Sequence, residues 1–317
     1  MNPCVSVCIT TFNQEQYIHD CIMSVVAQAS DVSLEILVGD DVSNDKTGMV
    51  VSNLTSQYPD LIRYFRHDSR LGPSGNIQKL MRNAKGKYIA RLDGDDYWLP
   101  GKLKMQVKRM NEEPECPAIY TNALCIDDRG KLLGVFNNHQ PDRFKFSEIL
   151  RRGNFLNNSS MLYRAHFRDE ILSWDPDFID YRIHLYLASK GAIGYVNACG
   201  VVYRVASSTS MIVHKGDHVR ELYWKAIKDV PIAMKEHKIV LCAFADFLRR
   251  VFFRAFRVRS WTLFAKWWSI VSKEHPDSKK RLVFLVLSNI LLTGLMEAKS
   301  YIVAKCGGAG LRVIYWR

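Results

Sequence analysis

The 317-residue chain has eight cysteines, and no two are spaced as Cys-x-x-Cys. A zinc ribbon or thioredoxin-like dithiol is therefore unsupported. Cys4, Cys8 and Cys21 fall in apolar patterns and read as small core residues. Long hydrophobic runs are missing too. The longest, Leu282 to Met296, is interrupted by Ser288, Asn289 and Thr293 and falls short of the roughly 20 residues of a spanning helix. Met1-Asn2-Pro3-Cys4 has no basic n-region, so no secretory leader is expected. Thr11-Phe12-Asn13-Gln14-Glu15 after the first apolar run holds no glycine, and no Gly-x-x-x-x-Gly-Lys-[Ser/Thr] occurs anywhere. That argues against P-loop chemistry and against a nucleotidyltransferase, which remains the alternative enzyme class.

What is present is charge, unevenly spread. The formal net charge is +12, and pI is near 9.3. From Val240 to Arg317 there are 14 Lys or Arg against 4 Asp or Glu, so +10 of the +12 sits there and about +2 elsewhere. The asymmetry predicts two regions, 1–218 and 219–317. With 48% hydrophobic residues the composition is that of a globular protein.

Apolar periodicity predicts strands at Val5–Thr10, Leu34–Val38, Leu61–Phe65 and Tyr88–Leu92. Helices are predicted between them, at Gln16–Gln28, Thr47–Tyr58 and from a Ser74 cap to Ala84. The alternation means an α/β domain with a mainly parallel sheet. Further on, Asp127-Asp128-Arg129-Gly130 signals a hairpin between Ala118–Ile126 and Lys131–Val135. Short strands are expected at Ser159–Tyr163, Gly194–Val196 and Gly200–Arg204, with a helix at Asp180–Lys190. Everything from about Val219 reads as helical.

Ligands of parallel sheets sit beyond the carboxyl ends of the strands. Three predicted strands end there in polar residues: Thr10-Thr11, Asp40-Asp41 and Asp93-Gly94-Asp95-Asp96. Crowded carboxylates call for a counter-cation, and oxygen ligands at a turn suit Mg²⁺ or Mn²⁺. Read as solvated turns, each of these clusters is unremarkable by itself; together and in this order they are not.

The order Val5-Ser6-Val7-x-Ile9-Thr10-Thr11-Phe12-Asn13, then Asp40-Asp41-Val42-Ser43-Asn44-Asp45, then Leu92-Asp93-Gly94-Asp95-Asp96-Tyr97-Trp98 resembles glycosyltransferase family 2. Asn157-Asn158-Ser159-Ser160, Asp180 and Tyr203-Arg204 extend the resemblance, over roughly residues 3–215. It implies a GT-A fold and an inverting transfer of a sugar from a nucleotide diphosphate, UDP being favoured by family frequency. Thr10, Thr11 and Asn13 would line the nucleotide pocket. Asp40 would meet the base and Asp93 the ribose. Asp95 would ligate Mn²⁺ or Mg²⁺ at the diphosphate, Arg204 would lie near donor and acceptor, and Asp180 would be the catalytic base. The pattern departs from the family at Val42, where a glycine is usual, and at Ile179, where an acid often precedes the base; Asp177 is the nearest substitute, and the plain reading of Asp180 is a helix N-cap. No Gln-x-x-Arg-Trp follows Asp180, so one sugar per encounter is expected. The acceptor implied is a glycan or lipid-linked glycan of the cell surface, handled at the cytoplasmic face of a membrane.

The tail carries Trp261, Trp267, Trp268, Trp316 and several Phe. Arg250, Arg254 and Arg257 share one helical face, and Phe244, Leu248, Val251 and Ala255 another. This pattern suits an interfacial helix on an anionic membrane, a helical subdomain packed on the core, or a combination of the two, packed helices with one membrane-facing side. A pair of histidines, His214 and His218, precedes it and reads as a polar helix start, with a phosphate or acceptor contact as the alternative. The non-enzymatic alternative, a basic module for membrane or nucleic acid, would bind with steep salt dependence and turn over no nucleotide sugar. The acidic cluster speaks against a nucleic-acid partner.

Overall fold

A computed structural model describes residues 3–205, 216–231, 234, 236–274, 278–305 and 311–315; His214 and Trp316 lie outside them. Strands β1 (Val5–Thr11), β2 (Leu34–Asp40), β3 (Ile62–Arg66) and β4 (Tyr88–Asp93) lie in the order β3-β2-β1-β4, all parallel. Helices α1 (Ile18–Val26), α2 (Thr47–Gln57) and α3 (Gly72–Asn83) cross between them. The apolar spacing of Ile18, Cys21, Ile22 and Val25 puts all four on the buried face of α1. Ser74 does not cap α3. The helix starts two residues earlier at Gly72, with Pro73 in its first turn, and the Ser74 hydroxyl donates to the Phe178 carbonyl at 2.7 Å.

Past β4 the sheet takes in antiparallel strands as well, and the expectation of a mainly parallel sheet holds. β5 (Tyr97–Trp98) and α4 (Lys102–Glu112) lead into the predicted hairpin, β6 (Ala118–Ile126) and β7 (Leu132–Asn137). β8 (Arg143–Phe144), α5 (Phe146–Arg152), β9 (Leu162–Arg164), α6 (Arg168–Leu172), α7 (Asp180–Lys190) and β10 (Ile193–Arg204) follow. β9 runs antiparallel to both β4 and β6, which joins the halves. Of the strand expected at Ser159–Tyr163, Ser159 and Ser160 belong to a 3-10 turn, and Leu162 and Tyr163 fall in β9. The two short strands expected after Gly194 are one, β10, bulged between Val196 and Val201.

The tail folds as α8 (Gly216–Lys228), α9 (His237–Arg257), α10 (Trp261–Glu274) and α11 (Lys279–Lys305). It is not wholly helical, because β11 (Val313–Tyr315) pairs in parallel with β7 at the sheet edge. Phe244, Leu248 and Val251 of α9 are buried in the same apolar cluster as Ile149, Leu150, Phe155 and Tyr181, and Ala255 is buried as well. The interfacial reading of α9 is thereby corrected: its apolar face meets protein. Arg250, placed on its basic face, is ion-paired with Asp246 at 2.8 Å. Exposed apolar side chains lie on α11 instead, with Phe284, Leu287, Leu291 and Leu295 each more than half exposed.

Candidate active site

The parallel strands end together. Thr10 stands opposite Asp93 and Thr11 opposite Asp40 in the sheet register. This brings the three polar strand ends to one edge. The turn after β4 is tight: Gly94 N–H donates to the Thr10 carbonyl at 3.0 Å, and Asp96 N–H to the Asp93 carbonyl at 2.9 Å. A Cβ on Gly94 would crowd Thr11 and displace the Gln14 amide, so glycine suits the position between Asp93 and Asp95.

Each carboxylate of the turn has a different setting. Asp93 accepts from Asn158 Nδ2 at 3.1 Å and from the Thr10 hydroxyl at 3.4 Å. Asp96 is buried, accepting the Ser159 hydroxyl at 2.6 Å and Arg204 N–H at 2.9 Å. Burial, then the charges of Asp95 and Asp93, push its carboxyl well above the ordinary range. Asp95 offers its carbonyl to Arg204 Nε at 3.2 Å. The Arg204 guanidinium also donates to the Asp127 carbonyl at 2.9 Å and lies 4.1 Å from the Tyr17 ring centre. Arg204 therefore ties the acidic turn to the β6–β7 hairpin.

Asp40 and Thr11 are more enclosed than a ligand contact suggests. Asp40 is fully buried, accepting Ser43 N–H and the Tyr64 hydroxyl, both at 2.8 Å. Thr11 donates to Gln14 Oε1 at 2.8 Å. Asn13 has a left-handed backbone, φ 52, and its N–H reaches the Ser43 hydroxyl at 2.9 Å. Asp41 takes three donors from the chain before α3: Arg70 Nε, Leu71 N–H and Gly72 N–H. The two aspartates thus set the walls of the turn, and Val42 between them and Ser43 carries φ 64.

Asp180 is the first residue of α7, not its cap, which is Ile179. Its Oδ1 accepts Asn154 Nδ2 at 3.0 Å and Tyr181 N–H at 2.8 Å. Burial raises its carboxyl; the charge of Arg91 is the largest effect opposing that, and Arg250 adds to it. Asn154 turns its other amide atom to His184 Nδ1 at 3.1 Å, and burial lowers His184 to about 3. A neutral imidazole that meets the Asn154 carbonyl oxygen carries its proton on Nδ1. Asn154 is itself held by the tail: its N–H donates to the Tyr223 hydroxyl at 2.9 Å and its carbonyl accepts Arg250 Nη2 at 3.1 Å. Gly153 before it, with φ 73, leaves no room for a Cβ beside Asp246 and Tyr223. Asp177, three residues before Asp180, is exposed and pairs with His218 at 2.9 Å.

Arg91 and Asn154 escaped the sequence reading. Arg91 is two residues before Asp93 on β4, so both side chains leave the same face of the strand. It is 6% exposed and makes no side-chain hydrogen bond or ion pair among the described residues. An arginine inside an otherwise apolar strand run was the available signal. Asn154 gave none, being one of several asparagines in its loop.

Among the described residues no group of three or more His, Cys, Asp or Glu is placed to hold a metal ion by itself. The donor set still fits Mg²⁺ or Mn²⁺, which bind through one or two carboxylates and complete their shell with water and phosphate. Asp93 and Asp95 supply such oxygens, while Asp96 is engaged by Ser159 and Arg204.

Residues 6–172 match the model of Glycosyl transferase family 2. An uncharacterized protein of Mycobacterium tuberculosis is 28% identical over 201 residues, which is 63% of this chain and 58% of that protein. The chain thus spans under two thirds of that relative's length. A UDP-Glc:alpha-D-GlcNAc-diphosphoundecaprenol beta-1,3-glucosyltransferase of Escherichia coli is 27% identical over 242 residues, 76% of this chain and 91% of that one. Among solved structures, a mannosyltransferase of Pyrobaculum calidifontis in complex with GDP-Man and Mn²⁺ superposes with a TM-score of 0.57 at 14% identity. The match covers 92% of this chain and 88% of that one. At that identity the likeness establishes the fold, which is of the GT-A type.

Proposed function

This chain belongs to glycosyl transferase family 2, and from that premise we propose that it moves one sugar from a nucleotide diphosphate donor, preferably UDP-linked, to a hydroxyl of a lipid-linked glycan acceptor, with inversion. The observation that carries the reading is the alignment of Thr10, Asp40 and Asp93–Asp96 at one edge of the parallel strands, with Asp180 close enough to β4 to feel Arg91. The donor nucleotide would lie along Thr10, Thr11, Asn13, Asp40 and Asp93. The enclosure of Asp40 and Thr11 limits them to shaping that pocket until a neighbour yields. A divalent ion held by Asp95, with Asp93 beside it, would offset the charge growing on the departing diphosphate.

Asp180 has the setting of a general base. One carboxylate oxygen is fixed by Asn154 and the Tyr181 amide, and burial brings its pKa up toward working pH. It would take the acceptor hydroxyl's proton as that oxygen attacks the anomeric carbon. Arg204 would keep the Asp95 turn in place. The Escherichia coli relative, named for transfer to a diphosphoundecaprenol-linked sugar, supports a lipid-linked acceptor. The exposed apolar side of α11, with Lys279, Lys280 and Arg281 at its start, supports a peripheral seat on the inner face of an anionic membrane. Among the described residues no helix is long and apolar enough to cross one.

The test is Asp95→Ala, assayed for UDP binding and UDP-sugar turnover with and without Mn²⁺. The expected result is loss of the Mn²⁺-dependent part of both with the thermal melt unchanged. Mn²⁺-stimulated turnover near the wild-type level would remove Asp95 from the metal.

A further inference from the structure

We propose that the cleft between the start of α8 and the α9–α10 junction binds the phosphate or diphosphate that links the acceptor glycan to its lipid. The cleft has a volume of about 820 Å³ and is lined by Asp217, His218, Arg220, Arg254, Val258 and Lys266, among others. Four of these six can carry positive charge and one is acidic. Arg220 takes up Asp217, and Lys266 and Arg254 add to the field that holds the Asp217 carboxyl below its ordinary range. Arg254 has no carboxylate partner among the described residues, and the only one for Lys266 is Glu221 at 3.9 Å, both half exposed. Arg254 is thus left over, and Lys266 is held only by a long, exposed contact, which is the setting for a phosphate oxyanion. The first turn of α8, a 13-residue helix, adds its N-terminal field from Gly216.

Two further features say which phosphate. Val258, 42% exposed, and Leu263 line the cleft, and the exposed Phe256 and Trp261 lie within two residues of its lining along the chain, so apolar groups accompany the cations. A nucleotide has no use for such a rim, whereas a polyprenyl chain does. The cleft also sits on the acceptor side: His218 in its wall pairs with Asp177, and the chain then runs through Ile179 into Asp180. The proposal rests on the lipid-linked acceptor reading above and names the part of the acceptor recognised.

The test is calorimetric titration of the full chain with farnesyl diphosphate while UDP and Mn²⁺ are kept saturating, so that the nucleotide end is filled. Wild type should bind, and Arg254→Ser/Lys266→Ser should bind at least tenfold more weakly with UDP affinity unchanged. Equal affinity in the double variant, or displacement of UDP by farnesyl diphosphate, overturns the proposal. Inorganic pyrophosphate is the second arm: affinity equal to that for farnesyl diphosphate overturns the lipid part and leaves a free-phosphate site. Should the double variant melt early, Lys266→Ser alone, at an exposed position, must still weaken farnesyl diphosphate about threefold. The underlying reading fails separately, through equal turnover on a glycan acceptor with and without its diphosphate-linked lipid, which would leave diphosphate binding at the cleft untouched.

Discussion

Val42 shows how a single residue can work against its fold. Its φ of 64 is the left-handed region, which costs a β-branched side chain about 1–2 kcal/mol. Glycine relieves that at about 0.5–1 kcal/mol of extra chain entropy. Val42→Gly should therefore raise the unfolding free energy by about 0.5–1 kcal/mol, read as a higher urea midpoint at constant slope; a lower midpoint would show that the side chain packs to advantage. Asp180 offers a kinetic counterpart. Asp180→Asn should lower turnover about 10²-fold or more with donor affinity unchanged. Burial pushes the Asp180 carboxyl up, and Arg91 from β4 and Arg250 from α9 push it down, with Tyr120 of β6 near and His184 of its own helix neutral. Removing Arg91 removes a lowering influence, so Arg91→Met should move the acidic limb of kcat to higher pH. An unmoved limb would mean that another group titrates there.

At the scale of elements, α9 is where sequence and structure part. The spacing of Phe244, Leu248, Val251 and Ala255 identifies the apolar face correctly, yet period alone does not say whether that face meets lipid or protein. Here it meets α5 and the tail helices α10 and α11, and Asp246 within the same helix steadies Arg250 against Asn154. Burying each large side chain of that face stabilises by about 1.5–3 kcal/mol. A chain ended near Lys238 should therefore be insoluble or lack a cooperative melt, in place of a soluble enzyme that has lost its membrane seat; a cooperative melt at the wild-type temperature would refute this. The first four strands and their acidic ends were legible because each is a continuous apolar run punctuated by polar residues. β11, with three residues, and the fused β10, with its bulge, were not: their pairing is decided by partners distant in sequence. The support of Asp180 by Asn154 was hidden for the same reason.

For the whole molecule, the basic excess and the apolar side of α11 act together. Anionic vesicles should sediment the full chain at low salt, and part of that binding should survive high salt, since apolar insertion is unscreened. Replacing Phe284, Leu287 and Leu291 by serine should leave only the salt-sensitive part; retention of the salt-resistant part would take α11 out of the contact. The tail also returns to the sheet. The Val135 N–H donates to the Arg312 carbonyl at 2.8 Å, and β11 covers the edge of β7. During synthesis that edge must wait until every helix of the tail has left the ribosome. Through that interval β7 presents unpaired backbone to its surroundings, and to other nascent copies of itself. A fusion partner or tag spliced close behind Tyr315 would prolong the wait, and would touch this protein's yield before it touched its chemistry.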